Sequence, residues 1–171
     1  MSELSGLEIG DRPAVFMHRN NPALSSEKCS ELSLDGIAVF DWGTGVSWDY
    51  TLANDDSQTA AKTALENILT INRHGGYGVI HTKGFDEVVV GRVSPGCLDF
   101  LELTDTSGTD RFFKSVHFDE GEFAAVEVRE EYPDLHDVLS KRAHLGAHQK
   151  LDDVPHVVTD PFIDLDLKGR L

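Results

Sequence analysis

The sequence predicts an α+β fold, namely a small, mostly antiparallel β-barrel flanked by helices. Two observations carry this prediction: one amphipathic helix is expected over residues 57–73, and five short strand-like segments follow it within residues 77–129. A length of 171 residues with 40% hydrophobic content suits one domain with a sizeable core. We therefore expect a single domain, with the barrel core at 33–130 and a C-terminal helix and extended tail at 131–171.

Strands are expected on the N-terminal side of the helix. The apolar runs at residues 13–18 and 36–40 predict two of them, and residues 46–52 predict a third after a glycine-containing bend. Between the first two, residues 25–32 are compatible with one or two helical turns.

The helix at 57–73 has recognisable signals at both ends. Residues 54–57 are short and polar, and such side chains accept hydrogen bonds from the first free N–H groups of a helix. Arg73 and His74 place cations at the negative end of the helix dipole, and Gly75 supplies the left-handed cap. The apolar residues between these ends fall on one helical face: Ala60, Ala61, Ala64, Leu65, Ile68 and Ile71.

The segments after the helix predict an antiparallel meander that curls into a barrel. Glycine-containing or acidic turns separate them, and residues 97–103 alternate apolar and polar as a half-buried strand should. The five predicted strands are residues 77–82, 87–93, 97–103, 111–118 and 123–129.

The C-terminal part is expected to begin with a helix over residues 133–144. Pro155 and Pro161 interrupt the remainder, which contains only short apolar bursts. We therefore expect the tail beyond Gly146 to run extended over the barrel surface.

The formal net charge of −15 is the strongest feature of the composition. It is typical of a solvated acidic surface, as in proteins from a salt-rich, halophilic cytoplasm, and it counts against a basic face for nucleic acid. The charge is uneven, however. Residues 73–114 hold five basic and six acidic side chains, whereas residues 119–137 hold eight acids and one arginine. One face could therefore be nearly neutral.

A cytoplasmic location is expected. No apolar stretch approaches the roughly 18 residues that indicate a membrane span, and the N-terminus lacks the basic-then-apolar layout of a signal peptide. Cys29 and Cys97 are far apart and fit reduced thiols better than a disulfide framework.

The segment 36–50 is the most informative stretch, because a predicted strand opens there into a bend that carries both tryptophans. Two interpretations are open. Trp42 and Trp48 can close the end of the core, with each indole N–H bonded to a carbonyl. Alternatively, the rings can form a pocket that stacks on a nucleobase.

A resemblance favours the second interpretation. The sequence runs from Gly36-Ile37-Ala38-Val39-Phe40-Asp41-Trp42-Gly43, through the amphipathic helix, to Gly76-Tyr77-Gly78-Val79-Ile80 and Val89-Val90-Gly91-Arg92-Val93. This order resembles the PUA-like superfamily, in particular EVE-type domains and the related modules of modification-dependent restriction systems. The resemblance covers roughly residues 33–130. It implies a small barrel with a pocket for a modified base between aromatic side chains.

From that resemblance we expect a non-catalytic module that binds nucleic acid and uses no cofactor. Three groups of residues would form the site. Trp42, Trp48 and Tyr50 would stack on the base, Asp41 or Asp49 would accept from an exocyclic amine, and His81, Lys83 and Arg92 would hold phosphate. For Arg92, an ion pair with Glu87 or Asp86 on the strand surface is an equal alternative.

Two other function classes remain open. A protein-interaction module could use the acidic face at residues 119–137. A metal-dependent hydrolase would need clustered ligands, for which the sequence offers His144 with His148, or Asp160 and Asp164 with Asp166-Leu167-Lys168. Gly146 weakens a helix between the two histidines, and the acidic motif is too short to span two strands, so we expect no metal site.

Overall fold

The structure is a computed structural model that describes residues 14–20, 23–40, 59–83, 86–142 and 148–171. The strand expected at 46–52 lies outside these residues. The described strands are β1 (Ala14–Arg19), β2 (Ile37–Phe40), β3 (Gly76–Lys83), β4 (Glu87–Val93), β5 (Leu98–Thr104), β6 (Asp110–His117), β7 (Phe123–Glu127) and β8 (His148–Lys150). The described helices are α1 (Ser26–Leu34), α2 (Thr59–His74), α3 (Val128–Glu131), α4 (Pro133–Arg142) and α5 (His156–Leu167).

The strands form two sheets, so the α+β prediction is confirmed. The large sheet has the order β7-β4-β3-β1-β8, and the small sheet has the order β2-β6-β5. Among the described strands, β1 and β3 pair in parallel and every other neighbouring pair is antiparallel. No closed barrel is found among these strands.

Alternation along the strands of the large sheet creates two apolar layers, because successive side chains point to opposite faces. One face packs beneath α4 and α5, and the other faces the small sheet and α2. The first layer includes Val15, Met17, Val79, Val88, Val90, Leu135, Leu139 and Leu165. The second includes Phe16, Ala38, Phe40, Ile68, Ile71, Ile80, Val89, Val116 and Phe118.

Two glycines make room for phenylalanine rings in the second layer. Gly78 and Gly91 lie opposite one another on β3 and β4. A Cβ at Gly78 would overlap the Phe16 ring, and a Cβ at Gly91 would overlap the Phe118 ring. Gly78 and Gly91 therefore have a packing role in this sheet.

The expected single meander is not observed, because β4 pairs with β3 and β7 rather than with β5. The connection at Ser94–Gly96 is held to the end of α2 instead of forming a hairpin. Gly96 N–H donates to Asn72 O at 2.8 Å, and Leu98 N–H donates to Asn72 Oδ1 at 3.3 Å. These bonds direct the chain from the large sheet to the small one.

The helix expected at 57–73 is confirmed as α2, and it ends as its sequence predicts. Gly75 adopts φ +75° and donates to Ile71 O at 2.6 Å. This left-handed cap requires glycine.

The prediction of an extended tail was wrong, since residues 156–167 form α5. The apolar bursts of the tail lie on one helical face, which is buried: Val157, Val158, Pro161, Phe162 and Leu165. Pro161 lies inside the helix, where its missing N–H is normally costly. Burial of this face against the large sheet outweighs that cost.

The Asn20 side chain joins the two sheets. Its amide accepts a hydrogen bond from Val39 N–H at 2.8 Å and donates to Ile37 O at 3.0 Å, so it pairs with β2 much as a parallel strand would. It also donates to Ser33 Oγ at 2.8 Å, and Ser33 Oγ in turn lies 2.7 Å from His81 O. One buried amide therefore connects the end of β1 to β2, α1 and β3.

Replacing Asn20 with alanine should lower the free energy of unfolding by about 2–4 kcal/mol, because Val39 N–H and Ile37 O lose their partner inside the protein. Urea denaturation followed by circular dichroism measures this change. Asn72→Ala is the matched control, since Asn72 is only half-buried and its side-chain amide makes one long bond among the described residues. A loss at Asn20 no greater than the loss at Asn72 would contradict the role given to Asn20.

Candidate functional site

The residues expected to form the aromatic pocket lie outside the described residues: Asp41, Trp42, Trp48, Asp49 and Tyr50. The chain enters that segment directly from Phe40, the last residue of β2. Phe40 is therefore the described residue that precedes this segment in the chain.

The residues expected to hold phosphate are spread along one hairpin. His81 is buried, with 2% of its surface exposed. Arg92 lies opposite Tyr77, four residues from His81 along β3, and its Nε is 3.8 Å from Asp119 Oδ2. The surface ion pair suggested for Arg92 thus involves Asp119 rather than Glu87 or Asp86. Lys83 ends β3, and its side chain is not described.

Next to Phe40 lies a pair of buried histidines. His18 on β1 and His148 on β8 are direct partners in the antiparallel ladder, so their side chains share one face of the large sheet. Their ring centres are 5.5 Å apart. The exposed fraction is 1% for His18 and 8% for His148.

Two phenylalanine rings enclose this pair. The Phe40 ring centre lies 4.2 Å from that of His18 and 5.5 Å from that of His148. Phe16, two residues before His18 on β1, stacks on His148 with ring centres 5.5 Å apart. Alternation along β1 places Phe16 and His18 on the same face of the sheet. The two imidazoles are therefore packed among aromatic rings.

The hydrogen bonds assign a tautomer to each ring. His18 Nε2 lies 2.8 Å from Val39 O, which can only accept, so His18 carries its proton on Nε2. His148 Nε2 lies 2.9 Å from Asn67 Nδ2, which can only donate, so His148 carries its proton on Nδ1. Neither Nδ1 atom has a hydrogen-bond partner among the described residues. One ring thus presents an acceptor and the other a donor.

Burial keeps both rings neutral. Removal from water lowers the pKa of His18 to about 3, against a smaller opposing effect of the bond to Val39 O. It also lowers the pKa of His148 well below the ordinary value, and the neighbouring His18 adds to this effect. At neutral pH the pair therefore offers hydrogen bonds without charge.

A buried lysine lies on the same side of the small sheet. Lys114 on β6 is opposite Phe40 on one neighbouring strand and opposite Phe100 on the other. Its exposed fraction is 2%, and ammonium groups are rarely this buried. Because registered partners share a face, Lys114 faces the layer that contains Phe40 and the histidine pair. Phe112, two residues earlier on that face, is 53% exposed.

The described residues show no catalytic arrangement. No group of three or more His, Cys, Asp or Glu side chains is placed to hold a metal within the ranges that the structure describes. Burial raises the pKa of the Cys97 thiol to about 11, and it also raises the pKa of Cys29, so neither is an activated nucleophile. His148 belongs to a strand, and His144 lies outside the described residues.

The acidic motif near the C-terminus lies on a helix rather than on strands. Asp160, Asp164 and Asp166 all belong to α5, and Lys168 follows its last turn. Lys168 Nζ is 2.8 Å from Asp164 Oδ2, an i, i+4 ion pair on the surface. This geometry is that of a solvated helix face.

Comparison with protein-family models, with curated proteins and with solved structures finds no match for the chain. Separately, no helix in the described part of the chain is long and apolar enough to cross a membrane.

Three residues of this site were missed from the sequence: His18, Asn67 and Lys114. His18 and Lys114 each lie inside an apolar strand segment, and a polar residue in such a segment is a signal that could have been followed. The pairing of His18 with His148 could not have been found this way, because the two residues are 130 positions apart in the chain.

The neutral histidines should make stability depend on pH. Below about pH 6.5 the unfolded chain binds a proton at each histidine, whereas the folded protein excludes it at His18 until the pH is near 3. Stability should therefore fall as the pH is lowered from 7 to 5, by roughly 1–2 kcal/mol for each of the two rings.

Urea denaturation at pH 7, 6 and 5 and constant ionic strength checks this dependence. His18→Gln should show a shallower fall than the parent, and His74→Gln, which alters an exposed histidine, serves as the control. Equal slopes for the parent and His18→Gln would show that His18 is not held neutral.

Proposed function

We propose that the chain is a non-catalytic nucleic-acid-binding module of PUA-like character, which reads one base, modified or unmodified, in an aromatic pocket. The proposed fold is a barrel in which the two sheets close around their shared apolar layer. Two mostly antiparallel sheets packed on that layer, with α2 against it, support this fold. Free thiols at Cys29 and Cys97 agree with the cytoplasmic location that we propose for it.

One observation carries the proposal: buried polar groups without partners lie among aromatic rings where β2 ends. His18 Nδ1 and His148 Nδ1 are withdrawn from water and make no hydrogen bond among the described residues. Leaving such a group unpaired costs about 1–3 kcal/mol, so a site that retains two of them is suited to a ligand that supplies both bonds.

The segment that follows Phe40 would supply the stacking surfaces. In this proposal Trp42, Trp48 and Tyr50 pack against the faces of the base, and Asp41 or Asp49 accepts from an exocyclic amine. Stacking of one base on an aromatic side chain contributes roughly 1–3 kcal/mol in single-strand binders. His81, Lys83 and Arg92 would hold phosphate, as the resemblance implies. Of these, only Arg92 has a described side chain with substantial exposure.

The net charge of −15 sets the conditions under which binding should be observed. Repulsion between the acidic surface and phosphate is screened by salt, with a Debye length of roughly 3 Å at 1 M. A halophilic protein would therefore bind nucleic acid at high salt through stacking and hydrogen bonds, rather than through a basic face.

Trp42→Ala and Trp48→Ala should each weaken the binding of a fluorescein-labelled single-stranded oligonucleotide about 5- to 100-fold, because each removes one stacking surface. Fluorescence polarisation at 0.1, 0.5 and 2 M salt measures the affinity. Arg92→Met should also weaken binding, because Arg92 is proposed to hold phosphate, whereas Arg129→Met, which alters an exposed arginine on α3, is the matched control. Absence of binding by the parent protein to oligonucleotides and modified nucleosides at every salt concentration would exclude the function.

A second candidate function has its own observation. A cleft of about 290 Å³ lies between α3–α4 and α5. Tyr132, Pro133, Leu135, Val157 and Pro161 give it apolar walls, and Glu131, Asp134, Asp160 and Asp164 give it an acidic rim. This arrangement would suit a basic peptide, and it overlaps the acidic face predicted at 119–137. Two of the four acids already form ion pairs, Glu131 with Arg170 and Asp164 with Lys168.

If the cleft binds basic peptides, the double variant Asp134→Asn/Asp160→Asn should bind a labelled lysine-rich peptide at least fivefold more weakly, because it removes two negative charges from the rim. Trp42→Ala should leave that affinity unchanged. Fluorescence polarisation at 0.15 M salt distinguishes the two functions, and a parent protein that does not bind the peptide would rule this one out.

A further inference from the structure

We propose that the cleft between α3–α4 and α5 binds one arginine side chain of a partner peptide, with the guanidinium held between Asp134 and Asp160. This inference rests on the second proposed function, the binding of basic peptides, and adds the residue that the cleft selects. The partner segment carries its arginine next to an aliphatic residue.

The four acids of the rim differ in whether their charge is matched. Glu131 and Asp164 pair with basic residues of the chain's own C-terminal segment, at N–O distances of 2.6 and 2.8 Å. Asp134 and Asp160 are exposed, and neither makes a side-chain hydrogen bond or ion pair within the described part of the chain. The rim therefore keeps two uncompensated negative charges, one on α4 and one on α5.

The position of Asp160 is electrostatically unfavourable within the chain itself. Asp160 and Asp164 lie one turn apart on α5, and both line the cleft. Like charges at this spacing destabilise a helix. Lys168 offsets the charge of Asp164, but no cation among the described residues forms an ion pair with Asp160. A cation supplied by a partner would relieve this repulsion.

A guanidinium suits this rim better than an ammonium does. Asp134 belongs to α4 and Asp160 to α5, so the two carboxylates come from different helices. A guanidinium carries five N–H donors in a planar fork and can serve two acceptors at once, whereas an ammonium is a compact and more strongly hydrated charge. The chain's own Arg170 uses its fork in this way, since Nη1 donates to Glu131 Oε2 and Nη2 donates to Ala125 O at 3.5 Å.

The volume and the walls of the cleft fit one long side chain. The volume of about 290 Å³ lies just below the range of about 300–1,000 Å³ that is usual for sites enclosing a drug-sized ligand. Tyr132, Leu135 and Val157 supply apolar surface for the aliphatic stem of an arginine. The Tyr132 hydroxyl donates to Asp164 Oδ2 at 2.7 Å, which holds the ring in the wall, where a guanidinium can stack on it.

Two exposed aliphatic residues beside the rim favour a peptide over a small guanidinium compound. Ile163 follows Asp160 by three residues on α5, and Leu167 follows Asp164 by three, so each is the neighbour of a rim acid on the helix surface. Their exposed fractions are 44% and 81%. An aliphatic side chain next to the arginine of a partner can cover this apolar surface, which is favourable.

The experiment is an NMR titration of the ¹⁵N-labelled chain, because this method measures weak affinities and shows which amides respond. The ligands are blocked ten-residue peptides of glycine, serine and alanine with two variable central residues. The first central residue is arginine, lysine or citrulline, and the second is leucine. Citrulline keeps the shape of arginine and lacks its charge. A further peptide has arginine followed by serine.

The arginine peptide should bind roughly fivefold more tightly than the lysine peptide and about tenfold or more above the citrulline peptide. It should shift the amide signals of residues 131–135 and 156–164, which line the cleft. Replacing leucine with serine should weaken binding about threefold, and equal affinities would overturn the aliphatic contact. Equal affinities for arginine and lysine would overturn the selectivity while leaving the binding of basic peptides intact. A parent protein that binds neither these peptides nor a lysine-rich one would instead exclude the second proposed function.

Matched double variants test whether the selectivity comes from the cleft. Asp134→Asn/Asp160→Asn should bind the arginine and citrulline peptides equally, because it removes both charges that hold the guanidinium. Asp137→Asn/Asp166→Asn is the control, since it removes one acid from each of the same two helices outside the cleft. The control should keep the parent's preference for arginine. Loss of that preference in both variants, or in neither, would overturn the proposal, because recognition would then depend on net charge or on another surface.

Discussion

The edge of β2 that faces away from β6 is closed by side chains, and the junction of the two sheets depends on this closure. Asn20 binds Val39 N–H and Ile37 O, and His18 binds Val39 O. Both side chains come from the end of β1, which belongs to the other sheet. An unpaired strand edge buried at this position would leave several backbone groups without partners. Three side-chain hydrogen bonds therefore do here what another strand would do in a continuous sheet.

The same closure determines the chemistry of the candidate site. The bond that His18 makes to Val39 O stabilises the sheet junction, and it also leaves Nδ1 as an acceptor facing away from β2. Asn67 fixes His148 in the same manner from α2. Positioning groups of this kind give a binding site its precision, because the side chains that contact a ligand have no freedom to turn away. The small sheet places the buried Lys114 opposite Phe40. Both sheets and α2 therefore contribute residues to the region around Phe40.

Local patterns in the sequence predicted the described elements well and their arrangement poorly. The C-terminal cap of α2 and the alternation of residues 97–103 are local signals, and the structure has the helix and the strand that they predict. The pairing of β4 with β7 rather than β5 depends on contacts between the chain at residues 94–98 and the end of α2, which no local pattern encodes. In α5, burial of one helical face outweighed the cost of placing Pro161 inside the helix. The histidine pair was missed for a similar reason. The residues next to each histidine in the sequence do not indicate a pair, and the two rings come together only through the pairing of β1 with β8.

On the proposed function, stacking and hydrogen bonds between neutral groups would contribute most of the recognition, because the acidic surface repels phosphate. His18 and His148 are neutral at physiological pH because burial opposes their protonation, so they add no charge that salt could screen. Hydrogen bonds between neutral groups and stacking on aromatic rings are less sensitive to ionic strength than contacts with phosphate. On the proposed function, a net charge of −15 keeps the protein soluble in salt, and the interior of the site carries the specificity. The surface and the site would then serve different physical requirements, which explains how such a composition can accompany nucleic-acid binding.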